Sequence, residues 1–249
     1  MVLKFLTGLL IVMTLVGFFI MLTEFGREYL WTTTIFLGLE ALITFIVLIH
    51  LAETVTVIIV SSIIFLASYL IEWWGTNTGF PFGLYSYTGV LKPLVNGVPL
   101  AISMAWFVVA ANSLLAARYF LGSSSPAAVV IAASVFILAT DILLEPFASF
   151  ANNYWVWDRG TIPMQNFGAW LLLGVVFAFT LNGLLKWRGN FGKQKKLLRI
   201  PIVIICINII NFSVVNIVNG YYALTLVGLL SFGVMFNSVK YPWKRTEAV

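Results

Sequence analysis

Eight apolar stretches, at about residues 5–22, 31–49, 54–72, 99–121, 127–147, 167–187, 200–218 and 221–239, dominate this chain. Each is close to the ~20 residues with which an α-helix crosses a hydrocarbon core. Hydrophobic residues make up 61% of the sequence and charged ones only 9%, a balance that no soluble domain of this length has. The predicted fold is therefore all-α: a polytopic helix bundle with about eight transmembrane helices, forming one integral membrane domain over residues 1–249. Lys4 ahead of the first stretch resembles the start of a signal peptide, but no small-residue cleavage site follows, so this segment is read as a helix.

Orientation follows from Lys and Arg, whose excess marks the cytoplasmic face. Eight spans put Lys4, Arg118, Lys186, Arg188, Lys193, Lys195, Lys196, Arg199, Lys240, Lys244 and Arg245 on one face, against Arg27, Lys92 and Arg159 on the other. Eleven against three places both termini in the cytoplasm and the loops at 75–98 and 148–166 outside. The expected location is the cell (plasma) membrane, multi-pass. The net charge of +5 is mostly this topology signal, with some attraction to anionic lipid heads, and nothing points to nucleic acid. Cys206 is the only cysteine and His50 the only histidine, so no thiolate cluster or multi-His set is available and no metal is expected.

Within the fifth stretch, Asp141 and Glu145 are four residues apart, which places both carboxyls on one helix face. An acid at bilayer depth costs at least ~2.5 kcal/mol unless it meets a partner or a polar cavity. At 1.5 Å per residue, Glu145 lies near the outer boundary and Asp141 ~6 Å deeper, and Glu72, near the end of the third stretch, reaches a similar depth. The outer loops add Gly/Pro punctuation from Thr78 to Gly83, which near a membrane must be buried in protein or line a cavity.

Further residues fall into ordered motifs: Glu72-x-x-Gly75-x-x-Thr78-Gly79-x-Pro81-Phe82-Gly83-x-Tyr85-x-Tyr87, then Gly97-Val98-Pro99-Leu100 with Trp106. Asp141 with Glu145-Pro146 follows, then Trp155-x-Trp157, Pro163, and Asn166-Phe167-x-x-Trp170. This pattern resembles the membrane carotenoid biosynthesis family, best known for the bisanhydrobacterioruberin and γ-carotene hydratases. The resemblance spans about residues 72–170, and the flanking helices agree only in hydropathy. The chain departs from it at Arg159-Gly160-Thr161-Ile162-Pro163, where the family pattern is richer in Tyr and Gly.

The resemblance implies addition of water across the terminal C=C of a ψ-end group, giving a tertiary alcohol, without metal, nucleotide or flavin. The residues suit that chemistry. Protonation of carbon needs a carboxylic acid that is neutral near pH 7, which burial beside a second carboxyl favours; Asp141 and Glu145 form such a pair. Aromatic faces stabilise the resulting carbocation, with Trp73, Trp74, Tyr85, Tyr87, Trp155 and Trp157 as candidates, and Phe82, Trp106, Asn166 and Trp170 complete the expected substrate-binding set. Glu72 or the second carboxylate would hold the attacking water. The expected partners are a long apolar polyene entering from the lipid, membrane lipids and other carotenoid enzymes.

Other readings stand beside this one. Interfacial Trp and Tyr also serve as belt anchors, and the two acids could hydrogen-bond a neighbouring helix. Glu40 reads as polar glue to Asn182, Asn208 or Asn211 across helices, or as a second acid. A proton-initiated end-group cyclase would use an internal alkene in place of water, and a lipid or carotenoid transporter would use the carboxylates for proton coupling. A retinal-type photoreceptor is set aside, because the interior of the last two spans has no Lys for a Schiff base.

Overall fold

A computed structural model describes residues 2–122, 125–189 and 191–238. Lys240, Lys244 and Arg245, used above for orientation, lie outside the described residues, as does the side chain of Lys193. The helices are α1 (Val2–Leu22), α2 (Thr33–Leu51, preceded by 3-10 turns over Phe25–Thr32), α3 (Thr54–Thr78), α4 (Leu100–Leu121), α5 (Pro126–Glu145), α6 (Met164–Leu184), α7 (Lys195–Val218) and α8 (Tyr222–Ser238). Among the described residues seven of these are long and apolar enough to cross a membrane; α8, with 17 residues, is apolar but shorter. The chain is thus an all-α, multi-pass bundle, as its hydropathy predicts.

The centre of the bundle is α4. Within its most apolar window 78% of the residues are buried, against 6% for α1, and it packs on α2, α3, α5, α6 and α7. Lipid tails give no hydrophobic drive for helices to associate, so close backbone approach through small residues must supply it. Ala110, Ala111, Ala116 and Ala117, all fully buried, provide that surface on α4. Likewise α8 lies against α5, where a Cβ on Gly228 would come within 2.5 Å of Leu143 Cγ.

Loops at the two ends tie the helices in different ways. At one end the α2–α3 and α6–α7 connections meet, with Glu53 N–H donating to Lys186 O at 2.9 Å and Arg188 N–H to Leu51 O at 2.7 Å. At the other end the two long loops meet, and β1 (Tyr85–Tyr87) pairs antiparallel with β4 (Trp155–Trp157), Tyr85 opposite Trp157 and Tyr87 opposite Trp155. A small hairpin, β2 (Leu94–Val95) with β3 (Val98–Pro99), leads into α4. Cysteines placed at Ser86 and Asn153, both exposed, in a Cys206→Ser background, are expected to react with an impermeant maleimide from the same side of a sealed vesicle. Reaction from opposite sides would rule out the β1–β4 pairing.

Helix α3 runs further than its hydropathy indicates, so the first long loop starts at Gly79 and not at Gly75. Polar side chains of the last turn bond back onto carbonyls of the turn before it: Thr76 Oγ1 and Asn77 Nδ2 donate to Trp73 O at 3.0 and 2.6 Å, and Thr78 Oγ1 to Trp74 O at 2.8 Å. Gly79, at φ +76°, then closes the helix in the left-handed region, its N–H donating to Gly75 O, a conformation that favours glycine. Helix α5 changes differently. Pro146 has no N–H to continue the α pattern, and the chain winds on as a π-helix over Pro146–Ala151. The Leu143 carbonyl, shortly before, accepts from Asn216 Nδ2 of α7 at 2.9 Å.

Candidate active site

Glu72 and Gly75 share a face of α3, one turn apart. A Cβ on Gly75 would lie 2.9 Å from Phe82 Cδ2 and 3.2 Å from Tyr85 Oη, so glycine here lets the loop aromatics settle directly on the helix. That contact brings the Tyr85 hydroxyl to Glu72 Oε2, to which it donates. The two-residue period of β1 puts Tyr87 on the same face, and its hydroxyl donates to the same oxygen at 2.7 Å. Trp106 Nε1 of α4 donates to Oε1 at 2.8 Å. Burial first, and the Glu72 carboxylate next, push both tyrosine hydroxyls well above their ordinary acidity range, so they stay neutral donors. Glu72 is therefore held as an acceptor by three donors.

The second acidic group is built from α5, α6 and β4. Asp141 and Glu145 are fully or almost fully buried, and one nitrogen joins them: Asn166 Nδ2 donates to Asp141 Oδ2 at 3.1 Å and to Glu145 Oε1 at 2.9 Å. An amide NH2 has two hydrogens at a fixed angle, which suits two carboxyls one helical turn apart. Trp157 Nε1 donates to Glu145 Oε2 at 3.0 Å, while Asp141 Oδ1 has no hydrogen-bond partner. The two acidic groups are linked through aromatic rings. Tyr85 and Trp157 pack with centroids 5.2 Å apart, and Trp170, one turn after Asn166 on α6, stacks on Trp106 at 3.9 Å.

These side chains close a cavity within the bundle. Glu72, Phe82, Tyr85, Tyr87, Trp106, Glu145, Trp155, Trp157, Asn166 and Trp170 all line it. The structure thus brings together most of the residues singled out by sequence. Asp141 is not in the wall; it lies behind, reaching the site through Asn166. Trp73 and Trp74 are not brought to the cavity. They follow Glu72 on α3 at turns of about 100° per residue and so face away, 40% and 53% exposed. Trp74 borders a separate outer cleft with Phe80, Pro81 and Leu172, a position that fits the interfacial belt.

Three more polar residues line the cavity: Glu40 of α2, read above as polar glue or a second acid, and Asn208 and Asn211 of α7, read as its partners or as polar glue. Glu40 is fully buried. Asn208 stands beside it, yet neither carboxyl oxygen has a hydrogen-bond partner of ordinary geometry. It does not act as glue to Asn182, which accepts from the Arg118 guanidinium. Depth is the available sequence signal. Glu40 lies seven residues into α2 from its loop end and Glu72 six residues from the corresponding end of α3, which at 1.5 Å per residue are the same level. No group of three or more His, Cys, Asp or Glu side chains among the described residues is arranged to hold a metal ion.

Known proteins share parts of this sequence. A family profile described as "Carotenoid biosynthesis protein" matches residues 30–235. A protein of Haloarcula japonica named bisanhydrobacterioruberin hydratase is 32% identical over 117 residues, which cover 45% of this chain and 40% of that protein. The match therefore spans less than half of the relative's length. No solved structure matches.

Proposed function

We propose, from the premise that this chain belongs to the carotenoid biosynthesis protein family, that it adds water across the terminal C=C of a carotenoid ψ-end group. The observation that carries the reading is the pairing of Asp141 and Glu145 on one Asn166 amide at the edge of an aromatic cavity. A relative bearing a hydratase name supports water as the nucleophile. Among the described residues the lining of the cavity contains no Lys, Arg or His, and two ionised carboxylates sharing an amide without a cation are costly at membrane depth. In this reading the pair carries one proton, and Glu145, the member in the cavity wall, delivers it.

The steps follow from the positions. The electrons of the C=C form a bond to the Glu145 proton, leaving a tertiary carbocation and a Glu145 carboxylate. Rings of Tyr85, Tyr87, Trp155 and Trp157 present π-faces to the cation, and the Glu72 carboxylate lowers its energy by charge. Water then adds to the cation, and loss of the extra proton gives the tertiary alcohol. The half-buried Met21, Phe36 and Leu37 line the α1–α2 side of the cavity, which is the proposed entrance for a polyene from the lipid. The charge count supports both termini on the cytoplasmic side of the plasma membrane, with β1 and β4 at the outer face.

The fate of solvent tests this. Purified protein given lycopene in deuterated, oxygen-18-labelled water, with no metal, nucleotide or dioxygen added, is expected to yield an alcohol with one carbon-bound deuterium and one solvent oxygen. Deuterium without oxygen would indicate a cyclase and unchanged polyene a transporter. Oxygen derived from dioxygen would indicate hydroxylation. Each of these would overturn the proposal.

A further inference from the structure

Water needs a place to stand before it can attack, and among the sequence-based candidates for holding it the carboxyls in the cavity wall already accept hydrogen bonds on both oxygens, while Asp141, with Oδ1 open, lies behind the wall. Both oxygens of Glu72 accept hydrogen bonds, from Tyr85, Tyr87 and Trp106, and both oxygens of Glu145 accept from Asn166 and Trp157. Glu40 is the contrast. It lies in the wall of the same cavity, is fully buried, and has two oxygens without a hydrogen-bond partner. Asn208 and Asn211, one turn apart on α7, line the cavity with it. A bound water requires two to four polar partners in a roomy polar site, and a carboxyl with two primary amides supplies that number. Leu37, Val109 and Phe212 surround them in the lining, and the hydroxyls of Thr33 and Tyr154, also in it, hydrogen-bond to each other.

We propose that Glu40, with Asn208 and Asn211, holds the water that attacks the carbocation and accepts its proton, so that protonation and hydration are carried out by groups on different helices, α5 for the acid and α2 with α7 for the water. This rests on the hydratase reading. Protons balance across the cycle: one passes from Glu145 to the alkene carbon, the water oxygen forms the C–O bond with a lone pair, and one proton of that oxygen passes to the carbonyl oxygen of the neutral, fully buried Glu40 carboxyl, whose own hydroxyl proton is released in exchange. Return of that proton to Glu145 through an incoming water resets the site, and the net change is addition of H2O to the C=C. The arrangement separates two functions that a single carboxyl pair would have to combine.

The experiment uses full-length protein in lipid vesicles with lycopene in deuterated water, and follows two readouts: alcohol formed, and deuterium gained by unreacted lycopene at its terminal alkene carbon. Protonation is reversible when the cation is not captured, so a variant that lacks only the water site continues to exchange deuterium. Glu40→Gln is expected to lower hydration by at least ~100-fold, within the range of general base contributions, with exchange at or above the wild-type rate. Glu145→Gln is expected to lose both readouts. Asn208→Leu and Asn211→Leu are expected to lower hydration ~10-fold with exchange retained, in keeping with the loss of one hydrogen bond of about 1.4 kcal/mol; these carry the test if Glu40→Gln does not extract as folded protein. Hydration within twofold of wild type in Glu40→Gln, or loss of exchange together with hydration in the Glu40 and Asn variants, overturns the proposal. Failure of the wild-type protein to form any alcohol is a separate result that removes the hydratase reading itself.

Discussion

Glu145→Gln is expected to reduce carotenoid hydration by at least ~100-fold, the lower range for loss of a general acid, with no change in the yield or elution position of detergent-extracted protein. Shape is kept and the proton is lost. Glutamine fills the same volume, and its carbonyl can keep accepting from Trp157 Nε1 or Asn166 Nδ2, both of which donate to Glu145. It has no proton to give to carbon. Asp141→Asn is expected to fall by a similar factor although Asp141 is absent from the cavity wall, because the pair shares one proton through the Asn166 clamp. The two variants differ in one respect. Asp141→Asn leaves the proposed acid in the cavity wall, so the activity that remains is expected to depend on Glu145 and to disappear in the double variant, whereas in Glu145→Gln that acid is already gone. Near-normal turnover in both would move the acid elsewhere, with Glu40 the first place to look.

What the sequence reveals of this site depends on whether the relevant geometry is local. The helices are legible because bilayer thickness imposes one length on each apolar run, and Asp141 and Glu145 are legible because a four-residue step is a fixed angle on a helix. Even the convergence of Glu72 with Glu145 follows from counting residues to the outer end of each span. Facing is harder to read. Trp73 and Trp74 adjoin Glu72 in sequence, but hydropathy ends α3 too early. Because the helix continues through Thr78, its rotation turns both indoles away from Glu72. The β1–β4 pairing joins segments about seventy residues apart in sequence and has no local signature beyond Tyr85-x-Tyr87 and Trp155-x-Trp157, whose period-2 spacing is compatible with strands. Glu40 is obscure for another reason. Polar glue is the commoner role for an intramembrane polar residue, and only the tertiary structure shows that Asn182 is engaged by Arg118 and that Glu40 lines the cavity.

Glu72→Gln is expected to lower turnover by ~100-fold or more through loss of charge, and its comparison with the two tyrosines separates electrostatics from packing. A carboxylate about 5 Å from a developing cation, at an effective dielectric constant near 20, is worth about 3 kcal/mol, and each 1.36 kcal/mol is a factor of ten in rate. Gln removes this term and presents an NH2 to donors that need an acceptor, since Tyr85, Tyr87 and Trp106 all point their hydrogens at this group. Tyr85→Phe and Tyr87→Phe each remove one donor and leave the charge in place with two others. Each is expected to lower activity by ~10-fold or less, because a hydrogen bond to a charged group is worth about 1.5–3 kcal/mol in total and only the part that changes between ground state and transition state affects the rate. If Glu72→Gln falls no further than the tyrosine variants, Glu72 serves only to anchor β1 on α3. If it falls much further while β1 stays paired, as reported by a disulfide between cysteines introduced at the facing, exposed positions Ser86 and Val156, then its negative charge acts on the cation in the cavity.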